Sequence, residues 1–276
     1  MAKDEKKTEG QKLQEKLSYK RKNYFEEASK EERDAIFSYA EGYKRFLDVS
    51  KTEREACEYA VRAAKENGFT EYFFGDKLKK GDKKYFVNRG KSVVLFRVGS
   101  KNPEQDGFRI IASHIDAPRI DIKQNPLYED SGVCFLKTHY YGGIKKYQWT
   151  AIPLALHGTV ILSDGSKKEI RIGDEENEPV FYINDLLPHL GADQMSKNAG
   201  RFIDAEQLNV VVGGLPYPDK ETSNKIKLTA LKILNEKYGM CEEDFLSSEL
   251  SAVPAFSARD VGLDRSFIGA YGHDDR

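Results

Sequence analysis

From Ser29 onward, apolar residues recur at intervals of three and four. Ile36, Phe37, Ala40, Tyr43, Phe46 and Leu47 form one stripe, and Ala56, Ala60, Ala63 and Ala64 form a second. This spacing predicts two helices, because 3.6 residues per turn brings i, i+3 and i+4 onto one face. Ser29 with Glu32, and Thr52 with Glu55, supply capping boxes at their starts, and Asn67-Gly68 stops the second. Residues 1–28 are polar and charge-dense, which reads as an arm or a frayed helix.

The period then changes. KKYFVNRGKSVVLFRVGS reads as a hairpin that turns at Arg89-Gly90-Lys91. FRIIASHID is the next expected strand, and its run Ile110-Ile111-Ala112 implies burial on both faces, as in a sheet covered by helices. Helix, helix, hairpin, strand is the opening of an α/β layered domain. From about Pro126 to Pro179 the texture becomes all-β. VCFLKTHYY, PLALHGTVIL, KKEIRIG and PVFYI are separated by turn chemistry at Tyr141-Gly142-Gly143 and Asp164-Gly165. A β-rich stretch between α/β segments suggests an inserted domain. A short helix is expected over 184–191, capped by Asn184 or Asp185. After Phe202 the α/β pattern returns. LNVVVGGLP is a strand, and a helix capped by Thr222 or Ser223 runs through Ile226, Ala230, Leu231, Ile233 and Leu234 to Tyr238-Gly239. ELSAVPAF is a further strand. There is no internal repeat.

Composition narrows the function classes. Hydrophobic residues make up 39% and charged residues 32% of 276, with a net charge of -1. That balance gives no reason to expect nucleic acid or an anionic membrane as partner. No apolar run approaches the ~20 residues that span a bilayer, and the N-terminus lacks the apolar core of a secretory signal. The three cysteines, Cys57, Cys134 and Cys241, stand far apart. They suggest neither a disulfide framework nor a zinc-thiolate site, so a reduced, cytoplasmic protein is expected, and any metal must use His, Asp and Glu.

The chemistry-bearing feature is His114 with Asp116. Residues i and i+2 of a strand share a face, and ligand sites in open α/β sheets lie beyond the carboxyl ends of strands. Neutral imidazole is a good zinc ligand, and a nearby carboxylate can orient it. A bare His-x-Asp arises easily by accident, and His273-Asp274-Asp275 contains a second one. His139 and His157 lie in β segments and read as strand-face packing. Gly142-Gly143 reads as a turn, since no helix with a following Lys-Ser/Thr comes after it. Tyr147 and Trp149 read as packing or interface residues.

The flanking motifs carry more. SHIDAPRIDIKQNPLYED, YYGGIKKYQW, PLALHGTVIL, LLPHLGADQ and VPAFSARDVGLDRSFIGAYGHDD resemble the aspartyl aminopeptidase and aminopeptidase I family of two-zinc metallopeptidases. The resemblance covers the chain from about Ser29 onward. It implies an α/β peptidase domain, with a central mixed sheet covered by helices, incomplete at its C-terminus, and an inserted β-rich dimerisation or lid domain. The implied division is a charged arm over 1–28, the first part of the peptidase domain over 29–122, the inserted domain over 123–255, and a truncated return over 256–276. It further implies two zinc ions, with cobalt or manganese also compatible. Peptides are the implied substrates, and the implied assembly is a homo-oligomer through the inserted domain.

By the same resemblance, His114 is a terminal zinc ligand and Asp116 supports that site. Asp274, preferred to Asp275, bridges the two metals. His189 reaches a neighbouring subunit's site, where a donor would stabilise developing negative charge. The family order continues with a Glu-Glu pair, another Asp and a final His. Glu26-Glu27, Glu31-Glu32, Glu175-Glu176 and Glu242-Glu243 all precede Asp274, and none fits that place. The expectation is an N-terminal portion of a zinc aminopeptidase, inactive alone. The alternatives are a non-catalytic, self-associating subunit and a related two-zinc carboxypeptidase or deacylase.

Overall fold

The computed structural model describes residues 7–275. The chain divides into two compact units between Tyr43 and Lys44.

In the first unit the charge-dense arm contains a helix, α1 (Glu9–Leu17), opened by a capping box between Thr8 and Gln11 and carrying no buried residue. A single turn, α2 (Tyr24–Glu27), follows, capped by Asn23. Next comes α3 (Lys30–Val49), which runs on into the second unit. Its capping box forms as expected: Ser29 N donates to Glu32 Oε2 at 2.8 Å, and Glu32 N donates to Ser29 Oγ at 3.2 Å. The Phe25 and Phe37 rings lie 6.1 Å apart.

In the second unit, Leu47 at the end of α3 is buried, and the Phe46 ring lies 4.9 Å from Tyr59 of α4 (Glu53–Glu66). Thr52 and Glu55 cap α4 reciprocally, and Asn67 closes it before Gly68. Strand β1 (Thr70–Glu71) pairs with the hairpin of β2 (Lys83–Asn88) and β3 (Ser92–Arg97). Arg89 and Gly90 both have positive φ, 53° and 69°, within the three-residue connection 89–91 between the paired Asn88 and Ser92. A single turn, α5 (Pro103–Asp106), follows.

The strand expected over Phe108–Asp116 does not form. Residues 107–118 are irregular; Phe108 and Ile110 are exposed, and Ile111 fully so. A strand exists only where a neighbour takes its N–H and C=O groups. Among the described residues no strand runs beside this segment. The strand begins instead beyond Pro118, as β4 (Arg119–Asp130), followed by β5 (Val133–Tyr141), β6 (Leu154–Ile161) and β7 (Lys167–Ile172). Then come β8 (Tyr182–Ile183), β9 (Val210–Gly213) and β10 (Ser248–Pro254). These form one seven-stranded sheet in the order β7-β6-β10-β4-β5-β9-β8, antiparallel at every pairing. Pro126 sits where the β4–β5 register shifts between Ile122 and Leu127, a place where a missing N–H costs no ladder bond.

LNVVVGG and ELSAVPAF are therefore not a return to an α/β pattern. They are β9 and β10 of this same sheet. The turn α6 (Ala192–Met195) and the helix α7 (Lys225–Tyr238) complete the region. Ile226 and Ala230 of α7 join the core formed by Ile120, Leu136, Leu156 and Val210. Neither Thr222 nor Ser223 caps α7. Its N-cap is Asn224, in the left-handed region, and Glu129 Oε2 accepts from Ile226 N at 2.9 Å and Lys227 N at 3.1 Å. The helix expected over 184–191 is absent; the chain turns there with Leu186, Leu187 and Leu190 exposed, so an apolar stripe finds no surface to cover. A two-stranded pair, β11 (Arg259–Val261) and β12 (Phe267–Gly269), ends the fold. No helix among the described residues is long and apolar enough to cross a membrane.

Candidate metal centre

His114 and Asp116 come together although their backbone is not a strand. His114 Nδ1 lies 3.0 Å from Asp116 Oδ1 and 3.1 Å from the Asp116 backbone oxygen. The other carboxylate oxygen, Oδ2, accepts from the Tyr141 hydroxyl at 2.6 Å. Tyr141 ends β5 opposite Arg119, whose guanidinium lies 4.1 Å above the tyrosine ring. Arg119 is fixed in turn by Asp121 at 2.8 Å and Glu53 at 3.3 Å. One residue further on, Gly142 has φ 73°, and a Cβ there would lie 3.5 Å from Pro118. The Tyr271 hydroxyl donates to the Pro118 oxygen at 3.0 Å, and the Trp149 ring meets Tyr271 edge-on. These anchors frame a cleft of about 400 Å³ lined by His114, Asp116, Ala117, Pro118, Tyr141, Gly142 and Asp275.

The charges reinforce one another. The hydrogen bond from Tyr141 is the leading cause holding the Asp116 carboxyl below its ordinary value, and His114 adds to it. The Asp116 hydrogen bond raises the His114 imidazole above its ordinary value.

His114 Nε2 faces Asp275 Oδ1 at 3.9 Å. The carboxylate set beside the imidazole is thus Asp275, whereas the sequence reading prefers Asp274. Both lie in the turn closed by Asp275 N donating to Gly272 O. His189 lies in the exposed turn at 188–190 and is not among the cleft residues. Trp149 is buried, as expected of packing.

The donor chemistry fits zinc. An imidazole whose Nδ1 is held by a carboxylate presents Nε2 to a metal in a fixed orientation. Two ligands on a tetrahedral zinc lie ~3.4 Å apart, given bonds of about 2.0–2.2 Å. The observed 3.9 Å is close to that. The number of donors is short, since among the described residues no group of three or more His, Cys, Asp or Glu gathers to hold an ion.

Sequence reasoning missed Tyr141 and Tyr271. Tyr141 lies in a segment legible only as strand and turn, and its role follows from a pairing 25 residues distant in the chain.

A carboxylate-supported histidine beside a second carboxylate offers donors of the kind that zinc accepts. A family profile, Aminopeptidase I zinc metalloprotease (M18), matches residues 46–276, and the chain belongs to that family. The probable M18 family aminopeptidase 1 of Clostridium acetobutylicum is 44% identical over 259 residues, covering 92% of this chain and 56% of that protein. The corresponding Thermotoga maritima protein is 45% identical over 262 residues, covering 94% and 56%. The crystal structure of an M18 aminopeptidase from Thermotoga maritima superposes with a TM-score of 0.85 at 44% identity, covering 94% of this chain and 56% of that one. The S. cerevisiae mApe1 dodecamer, 16% identical with a TM-score of 0.61, shares the fold. The chain spans about half the length of the curated relatives it matches.

Proposed function

We propose that the chain belongs to a zinc aminopeptidase that removes the first residue of peptides. The observation that carries this reading is the His114–Asp116 pair, with Nδ1 tied to the carboxylate and Nε2 turned toward Asp275. His114 would hold zinc through Nε2, Asp116 would orient the ring, and the Asp274-Asp275 pair would supply the bridging carboxylate. Zinc, when bound, supplies an acidified water and a polarised carbonyl. His189, in the inserted domain assigned to 123–255, would donate toward developing charge at the site of a neighbouring copy in a homo-oligomer. The peptidase domain would be drawn from 29–122 and 256–276, with 1–28 as the arm. A reduced, cytoplasmic setting suits Cys57, Cys134 and Cys241, all free thiols.

This polypeptide alone would hold zinc weakly. None of its Glu-Glu pairs lines the cleft, and two donors do not make a tight site. The purified 276-residue chain should retain no stoichiometric zinc and release no N-terminal residues; two zincs per chain, or clear release, would contradict this. Asp274→Asn and Asp275→Asn, compared for weakened zinc binding at His114, identify which carboxylate is the ligand.

A second reading has its own support. The seven-stranded sheet forms within this chain, and Leu186, Leu187 and Leu190 stand exposed around His189. A non-catalytic subunit that lends this domain to an assembly fits those features. Sequencing the gene beyond the codon for Arg276 separates the two. A frame that continues with a Glu-Glu pair, an Asp and a His supports the aminopeptidase, and its purified product should act on peptides. A stop codon directly there removes the catalytic reading.

A further inference from the structure

Residues 107–118 have no ladder to fix them, yet His114 and Asp116 are held in a defined arrangement. Something outside the segment must set the carboxylate plane, because a carboxylate on an unpaired, exposed stretch otherwise rotates about its own bonds. Both oxygens of the Asp116 carboxylate are engaged: Oδ1 meets His114, and Oδ2 accepts from Tyr141 at 2.6 Å. Tyr141 is itself well fixed. It is the last residue of β5, paired in register with Arg119, whose guanidinium covers its ring at 4.1 Å. The rigid end of the β4–β5 pair therefore reaches back across the Pro118 corner to the irregular segment.

We infer that Tyr141 is a positioning residue for this site: its hydroxyl locks the Asp116 carboxylate, and through it the tautomer and orientation of the His114 imidazole. With Asp116 oriented, Nδ1 carries the proton and Nε2 keeps the lone pair that a metal needs. The meaning of this role rests on His114 being a metal ligand, whereas the geometry stands without that reading.

The test uses the whole chain, metal-free, with ¹⁵N-labelled histidine, comparing wild type, Tyr141→Phe, and Tyr140→Phe as control. The wild type and the control should show His114 in the Nδ1–H form. Tyr141→Phe should lose that preference while its melting temperature stays close to wild type. Titration with zinc alone, followed at His114, should give a dissociation constant about 10-fold weaker for Tyr141→Phe, the lower end of what loss of an outer-shell partner costs. An unchanged tautomer in a folded Tyr141→Phe overturns the inference. A wild type in which zinc leaves His114 unperturbed counts against the metal reading alone, and the tautomer comparison still decides the role of Tyr141. Should Tyr141→Phe fail to fold, the hydroxyl exchange of Tyr141 in the wild type decides: slow exchange supports the bond to Asp116, and exchange as fast as that of a free tyrosine overturns it.

Discussion

At the scale of single residues, the most loaded position lies outside the cleft. His157 on β6 is fully buried, with Nδ1 2.9 Å from Glu55 Oε1 and Nε2 2.9 Å from Asp174 Oδ2. Arg171 pairs with Glu55, and Lys51 Nζ bonds Asp174 at 2.8 Å and the Pro254 oxygen at 2.9 Å. Burial pushes the Glu55 carboxyl up, but His157 and Arg171 outweigh it and bring the pKa to about 2. Asp174 is likewise held low, by His157 and Lys51 against burial. Burial pushes the His157 imidazole down, yet its two carboxylates raise it above its ordinary 6.5. The signs then fix a pH window. Glu55 stabilises the fold fully above its ordinary 4.5 and loses that contribution as pH falls toward about 2. His157 stabilises fully below 6.5 and loses its contribution as pH rises through its raised value. Urea midpoints measured across pH should peak between about 4.5 and 6.5 and decline on both sides. His157→Leu takes one partner from each of two half-buried carboxylates, which keep Arg171 and Lys51, so it should cost about 1.5–3 kcal/mol and flatten the alkaline decline. An alkaline limb that persists unchanged in the variant would remove His157 from this account.

At the scale of elements, α7 shows how a helix start can depend on a distant strand. Its N-terminal N–H groups would be orphaned if its own N-cap had to serve them, because Asn224 makes no side-chain bond. Glu129 of β4 accepts from two of them, and it also places negative charge at the positive end of the helix dipole. Glu129→Ala should lower stability by about 1–2 kcal/mol, the usual cost of a lost cap, and should speed amide exchange at Ile226 and Lys227 first. Equal exchange in variant and wild type would show that another group serves those amides. The same contrast separates what was legible in the sequence from what was not. α3, α4 and the β2–β3 hairpin were readable because their caps, period and turn residues lie within a few positions of one another. Glu129 could not be read as a cap, since it lies 97 residues from Ile226. β4 was obscured by Lys123-Gln124-Asn125-Pro126, which breaks strand alternation and proves to span the register shift. His114 and Asp116 were legible as a pair because they are two residues apart. Tyr141 was not, because only the β4–β5 register brings it to Asp116.

At the scale of the whole molecule, packing is uneven. The main hydrophobic cluster lies within 120–252, built chiefly from the seven-stranded sheet with residues of α7. The segment just before it is the reverse: Phe108, Ile110 and Ile111 are exposed, and their backbone belongs to no ladder. A stretch rich in β-branched and aromatic residues seeks a neighbouring strand, and unpaired it is both an aggregation hazard and an open substrate for proteases. Brief chymotrypsin treatment should therefore cut after Phe108 well before any bond inside the sheet. A product that begins at Arg109 and retains the sheet should persist, because cleavage there requires opening of the core. Slow cleavage after Phe108, or slow amide exchange across 107–118, would show that the segment is paired in solution. Those outcomes bear on His114 as well. Protection of Ile110 and Ile111 that appears only when further chain or a partner is present would mean that the strand expected from the sequence forms on assembly, carrying His114 and Asp116 at its carboxyl end. Persistent exposure would leave Tyr141 as the main restraint on that pair.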